Sequence, residues 1–348
     1  MPNSDTLTGW ASVGKGKPLE QMQFPMKAWD DNSVEMDITH CGICGSDVHT
    51  IDSGWFPTDY PTIVGHEIAG VVTRVGKNVT RVKVGDRAGM GAACGACGQC
   101  HCCNKGAENI CLKGSIPTYN ARWPTGEKTL GGYADKWRGD ETFICKIPDN
   151  VSNENAASFL CGGVTTFAPL RRWKIGPGST LGVLGIGGLG HFAVMFGKAL
   201  GATVIALSSS NRKRDDAMKL GCDDYVITNN EEEMAKYANK LTHIICTGVG
   251  EDFKWEPYFN LLLPDGIFIN VSAPEFQYPP IPIFLQLMKQ IVVVGSAVGS
   301  VKDLDDMLQL VSEKNLKAWY KKYPMSEVNK AIEDFRAGLP RFRFVLEN

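Results

Sequence analysis

The sequence predicts a two-domain chain of mixed class, a β-rich half joined to an α/β half built on a doubly wound parallel sheet of six strands. Three observations lead there. The 348 residues are enough for two separate cores. From Val34 to Gly91 the chain runs in short β segments separated by Gly, Asp, Asn and Pro turn signals, and from about Asn153 it changes to apolar runs alternating with helical patterns. The expected domains are residues 1–155 with 298–348, and residues 156–297.

In the first half, Val34–Thr39 and Ile68–Val75 carry the strand signal most plainly. In the second, candidate strands are Thr180 to Leu184, Thr203 to Leu207, Asp224 to Ile227, His243 to Cys246, Ile267 to Val271 and Ile291 to Val294. Between them His191 to Leu200, Arg212 to Leu220, Glu231 to Leu241, Trp255 to Leu263 and Pro282 to Lys289 read as helices by length or period. A further helix, Val301 to Lys314, leads to a tail whose Arg341 to Val345 alternates like a strand returning to the first half.

Composition narrows the function classes. A formal charge of -2 with 21% charged residues, and no basic stripe interleaved with aromatics, argues against a nucleic-acid partner. The most apolar stretch, Thr180 to Leu207, is broken by seven glycines plus His191 and Lys198, so no membrane span is expected. Met1 to Trp10 is polar and lacks the pattern of a signal peptide, which points to a reducing, cytoplasmic setting.

The first strand of the second half runs into Gly185-Ile186-Gly187-Gly188-Leu189-Gly190 and then a helix, the context in which a glycine turn cradles a dinucleotide pyrophosphate. About twenty residues later, where an NAD site carries an acid for the ribose 2′-hydroxyl, this chain has Ser208, Ser209 and Ser210, then Arg212, Lys213 and Arg214. Hydroxyls and cations there favour a 2′-phosphate, and so NADP(H). The competing reading of Arg212 to Arg214 is a solvated first helical turn. Positive charge at that end opposes the helix dipole, which a bound anion explains.

Cys97, Cys100, Cys103 and Cys111 follow the pattern C-x2-C-x2-C-x7-C, the spacing of a closed structural zinc site. Cys94 and Cys102 compete for the same four places, and disulfides are the rival for all six thiols. A second, scattered set comprises Cys44 in Cys41-Gly-Ile-Cys44-Gly-Ser-Asp47, His66-Glu67 after Gly65, and Cys161 in Leu160-Cys-Gly-Gly163. Taken singly each is weak, since a buried cysteine is more often a small core residue. Two thiolates and an imidazole together form an open zinc site that keeps one place for water or substrate.

With these motifs the chain resembles, over nearly its whole length, the zinc-dependent medium-chain alcohol dehydrogenases, and among them the cinnamyl alcohol dehydrogenase branch with its fungal NADPH-dependent reductases. The likeness rests on Cys44-Gly-Ser-Asp47, Gly65-His-Glu67, the Cys97 to Cys111 cluster, Leu160-Cys-Gly-Gly163, Gly185 to Gly190 and Arg343-Phe-Val345. It implies a GroES-like, zinc-binding catalytic domain, a Rossmann cofactor domain, two zinc ions per chain and a homodimer joined around Ile291 to Ser300. It selects Cys97, Cys100, Cys103 and Cys111 for the structural zinc. It makes Cys44, not Cys41, the catalytic ligand beside His66 and Cys161, with Glu67 behind the metal as a transient ligand.

The same likeness gives Ser46 and His49 the relay that moves the alcohol proton to solvent, gives Asp47 the second nitrogen of His66, and places Thr165 at the cofactor. One departure is Gly45, where plant members usually carry histidine; fungal members share the glycine. Trp55 and Phe56 are candidates for the substrate mouth or, alternatively, for the core of their own lobe. The expected activity is NADPH-dependent reduction of aromatic or unsaturated aldehydes to primary alcohols, and the reverse. Its rivals are an NAD-dependent polyol dehydrogenase and a zinc-stapled sensor without catalysis.

Overall fold

The computed structural model describes residues 5–339 and 341–348. They form two compact units, one of residues up to Val164 with Gly299–Asn348 and one of Thr165–Val298.

The first unit is mainly sheet. Its backbone is the strand Ser33–Ile43, which pairs antiparallel along one edge with Ile68–Val75. Its other edge is shared: Lys136–Asp140 takes the first half, and the closing strand Arg343–Glu347 takes the second. The tail thus does return to the first half, where it also runs parallel to Tyr320–Pro324. Alternation predicts a strand ending at Thr39, but pairing continues through Gly42 to Ile43. Gly42 serves close approach: a Cβ there would lie 2.9 Å from the Glu67 Cβ and nearer still to its carboxylate. A separate three-stranded sheet of Leu19–Pro25, Thr6–Ser12 and Thr62–Ile63 carries no clear signal in the sequence. Gly9 interrupts its pattern, and a Cβ on Gly9 would meet the Ile63 side chain at 2.6 Å.

The second unit is one parallel sheet of Thr180–Leu184, Thr203–Ser208, Asp224–Ile227, Leu241–Cys246, Leu262–Asn270 and Val292–Gly295. Counted along the chain, they lie in the order third, second, first, fourth, fifth, sixth. The order reverses between the first and fourth strands, which is where an open α/β sheet binds its ligand, at the carboxyl ends. Val183, Leu207, Ile244 and Ile245 are fully buried, as strands covered on both faces require.

Two expected helices are shorter than their sequence pattern. Glu231 to Leu241 is helical only over Glu231–Ala235, because Asn239 turns at φ 54° and Leu241 already opens the fourth strand. Arg212 to Leu220 divides into a 3-10 turn, Asn211–Lys213, and an α-helix, Arg214–Lys219. The fifth strand begins at Leu262, five residues before Ile267, and its register with the fourth breaks between those two residues.

Candidate active site

Three local structures carry the scattered ligand set into one place in the first unit. Cys44 ends the long central strand and caps the helix Gly45–Ile51. His66 and Glu67 sit in a turn between Thr62–Ile63 and Ile68–Val75, entered through Gly65 at φ 99°. A Cβ on Gly65 would strike the Tyr133 ring at 2.6 Å and the Cys41 sulfur at 2.8 Å, so only glycine fits this bend. Cys161 lies between the helices Asn153–Phe159 and Gly162–Arg172. Ligand atoms of Cys44, His66, Glu67 and Cys161 all come within 4.8 Å of one another.

The chemistry of this set fits a metal ion. The sulfurs of Cys44 and Cys161 are 3.7 Å apart, and Ser46 Oγ is 3.6 Å from the Cys44 sulfur. His66 Nε2 and Glu67 Oε2 are buried without a hydrogen-bond partner, a costly state for a protein to keep unless something else uses them. The hydrogen bond between the two thiols holds Cys44 well below its usual range against the effect of burial, and the same bond together with burial pushes Cys161 up. Burial would lower the His66 pKa, but Asp47 and Cys44 outweigh it and hold it at about 9. Burial raises Glu67 to about 7 even though Arg343 lies against it. Glu67 Oε1 accepts from Arg343 Nη2, and both side chains are buried.

Asp47 is fully buried, and burial raises its pKa. Its carboxylate accepts from Cys44 N–H at 2.8 Å, Gly65 N–H at 3.1 Å and Tyr133 O–H at 3.0 Å, so it ties together the two loops that bear the ligands. The expected contact with His66 is different. Asp47 Oδ1 stands 3.7 Å from His66 Nδ1, longer than a hydrogen bond, and the Tyr119 hydroxyl takes that nitrogen at 2.9 Å. Sequence reasoning missed Tyr119, which has no motif of its own. Ser46 and His49 lie three apart on one helix and so share its face. The His49 ring stacks on Trp55 at 4.2 Å, with Trp55 37% and Phe56 75% exposed, so this aromatic pair does not pack a core. Gly45 opens the helix with free space where its Cβ would stand.

The thiols of Cys97, Cys100, Cys103 and Cys111 also gather within 4.8 Å. Backbone N–H groups of Cys103 and Leu112 hold Cys100 down at about 6, an environment that favours thiolate. Cys94 is buried, with its sulfur on the Pro117 carbonyl, and neither it nor Cys102 belongs to the set. Because metal binding at a thiol cluster contributes directly to folding, Cys103→Ala is expected to release one zinc per chain and to lower the midpoint of urea unfolding, readable by elemental analysis and circular dichroism. Unchanged metal content would contradict a zinc site here.

In the second unit the carboxyl ends of the strands enclose a cavity of about 830 Å³. Gly185, Gly187, Gly188, Leu189, Ser208, Ser209, Ser210, Arg212 and Lys213 are among its lining residues. Gly187 leaves open space for an approaching ligand. Gly190 is not a lining residue; its hydrogen replaces a Cβ that would lie 1.9 Å from the Gly185 carbonyl, so it permits the tight turn. Lys213 Nζ donates to the Ile186 carbonyl at 2.7 Å, across the mouth of that turn. Thr247, which the sequence reading did not single out, braces the turn by donating to the Leu184 and Gly185 carbonyls. Thr165 is buried in Gly162–Arg172 and does not line the cavity.

Comparison with known proteins agrees with this geometry. Residues 30–149 match the alcohol dehydrogenase GroES-like domain and residues 188–313 the zinc-binding dehydrogenase family. The chain is 37% identical over 343 residues, 98% of both chains, to NADP-dependent alcohol dehydrogenase C 1 of Mycolicibacterium smegmatis. It is 38% identical over 341 residues, 97% of this chain and 94% of the other, to cinnamyl alcohol dehydrogenase 2 of Rauvolfia serpentina. A solved cinnamyl alcohol dehydrogenase from Sorghum bicolor superposes with a TM-score of 0.93 at 36% identity, covering 98% of this chain and 97% of its own. The chain therefore belongs to the zinc-binding medium-chain alcohol dehydrogenases, in their cinnamyl alcohol dehydrogenase branch, and is an oxidoreductase that interconverts alcohols and aldehydes.

Proposed function

We propose that this enzyme reduces aromatic and unsaturated aldehydes to primary alcohols with NADPH, using one zinc ion held by Cys44, His66 and Cys161 and a second held by Cys97, Cys100, Cys103 and Cys111. The observation that carries the reading is the convergence of two thiols and an unpartnered imidazole nitrogen in one buried place beside a serine hydroxyl. When bound, zinc supplies Lewis acidity toward a carbonyl oxygen and NADPH supplies the hydride. Ser46, near the Cys44 sulfur, is in place to give the proton an alcohol product needs, and His49 on the same helix face to resupply it from solvent. Glu67, held by Arg343, remains available as a transient ligand during exchange at the metal. Trp55 offers an exposed aromatic face, worth about 0.5–1.5 kcal/mol for a stacked ring beyond simple burial, which favours a planar substrate over a polyhydroxylated one.

The choice of NADPH rests on the cavity. Ser208, Ser209, Arg212 and Lys213 line it where a carboxylate would repel a 2′-phosphate, and this disfavours an NAD-dependent polyol dehydrogenase. Ser209→Asp combined with Lys213→Glu is expected to reverse the preference between NADPH and NADH by at least tenfold in each direction of the ratio, since it exchanges an attractive charge for two repulsive ones. Steady-state kinetics with both cofactors read the ratio. Unchanged selectivity would show that the phosphate is recognised elsewhere.

The enzyme is further proposed to act as a homodimer. In support, Ile283, Phe284, Leu287 and Met288 are exposed on the helix Ile283–Lys289, and the last strand, Val292–Gly295, leaves one edge of the sheet open. A sedimentation mass of a single chain would contradict it. No helix of the described residues is long and apolar enough to cross a membrane. The described cysteines are all unpaired, which suits a reducing cytoplasmic setting.

A further inference from the structure

The tautomer of His66 has to be fixed for its Nε2 to face a metal, because a neutral imidazole carries one proton and that proton must then sit on Nδ1. An Nδ1–H needs an acceptor. The carboxylate of Asp47 is too far at 3.7 Å, and it already receives Cys44 N–H, Gly65 N–H and Tyr133 O–H. The acceptor in reach is the Tyr119 hydroxyl at 2.9 Å. A phenol oxygen can accept this proton while its own O–H stays free to donate, so the direction at this contact is from His66 Nδ1–H to Tyr119. The Tyr119 ring is 7% exposed and lies nearly parallel to the imidazole, 5.3 Å between centroids and 18° between planes, which fixes both rings.

The next residue grips something else. Asn120 turns the backbone at φ 55°, accepts from Asp59 N–H at 2.9 Å and donates to the Pro57 carbonyl at 3.2 Å. Arg122 Nη2 donates to the Asp59 carboxylate at 2.7 Å, and Lys128 Nζ donates to the Asp59 carbonyl at 2.7 Å. Residues 57–59 directly follow Trp55 and Phe56. The loop that presents the aromatic pair is therefore fastened to the same short segment that holds the imidazole.

We propose that Tyr119 and Asn120 form one positioning element of this enzyme: Tyr119 accepts the Nδ1–H of the zinc ligand His66 and so fixes its tautomer, and Asn120 sets the substrate loop against the same backbone. Tyr119→Phe keeps the ring and removes the hydroxyl. It is expected to release the zinc of the Cys44 site to a chelator about tenfold faster than wild type, the lower end of what loss of an outer partner costs a metal-bound histidine. The zinc of the Cys97 site should leave at the wild-type rate in the same sample, which serves as its control for folding. Cobalt substituted at the Cys44 site should show a shifted visible spectrum in this variant.

Asn120→Gly retains the left-handed backbone and deletes the side chain. It is expected to raise KM for cinnamaldehyde several-fold with zinc release unchanged. The inference rests on the zinc reading of Cys44, His66 and Cys161, and the outcomes separate the two. Wild-type protein carrying a single zinc fails that reading. Two zinc ions in wild type, with Tyr119→Phe matching it in release rate and cobalt spectrum, overturns the role of Tyr119 alone. A wild-type KM in Asn120→Gly overturns the link to the loop.

Discussion

Cys161→Ala is expected to abolish turnover while the protein stays folded. In the proposed assignment Cys161 is one of three ligands in an open site, its sulfur 3.7 Å from that of Cys44, and alanine would offer a metal nothing. Loss of Lewis acidity toward a carbonyl removes about 4 kcal/mol or more of transition-state stabilisation, a fall of about a thousandfold in kcat. Zinc content should fall from two per chain to one, and the unfolding midpoint should move little, because the lobe around Cys97 keeps its own ion. A Cys161→Ala protein that turned over normally with both ions would place the reaction elsewhere.

Arg343→Met should have the largest effect on stability. It leaves Glu67 buried without its partner, and breaking a buried pair from one side costs about 3–5 kcal/mol. Urea unfolding followed by tryptophan fluorescence reads this loss. Adding Glu67→Gln to Arg343→Met removes the orphaned charge and should recover part of it, so the double-mutant cycle should show a coupling of about 1–3 kcal/mol. Additive effects would mean that the pair contributes nothing through its contact.

Much of this site was legible in the sequence because metal chemistry restricts residue type. Cysteine at C-x2-C spacing, and Gly185 to Gly190 between a strand and a helix, have few other uses, and the structure gathers both sets as their patterns imply. The residues that escaped are those whose work depends on a fold no local pattern reveals. Tyr119 reaches His66 across 53 positions of sequence, and Thr247 reaches Leu184 across 63. The places of Gly42 and Gly9 inside strands are set by neighbours distant along the chain, Glu67 and Ile63, against which a Cβ would clash, and no local pattern shows that demand. The helix beginning at Glu231 was overread for a related reason, since the apolar start of the next strand continues the helical period.

The most direct test of the functional account is the ratio of kcat/KM for NADPH to that for NADH in the reduction of cinnamaldehyde by the zinc-replete wild-type enzyme. A ratio of at least tenfold in favour of NADPH is predicted from the serines and cations that line the cavity. A ratio at or below one, or no reduction with either cofactor, would contradict the account.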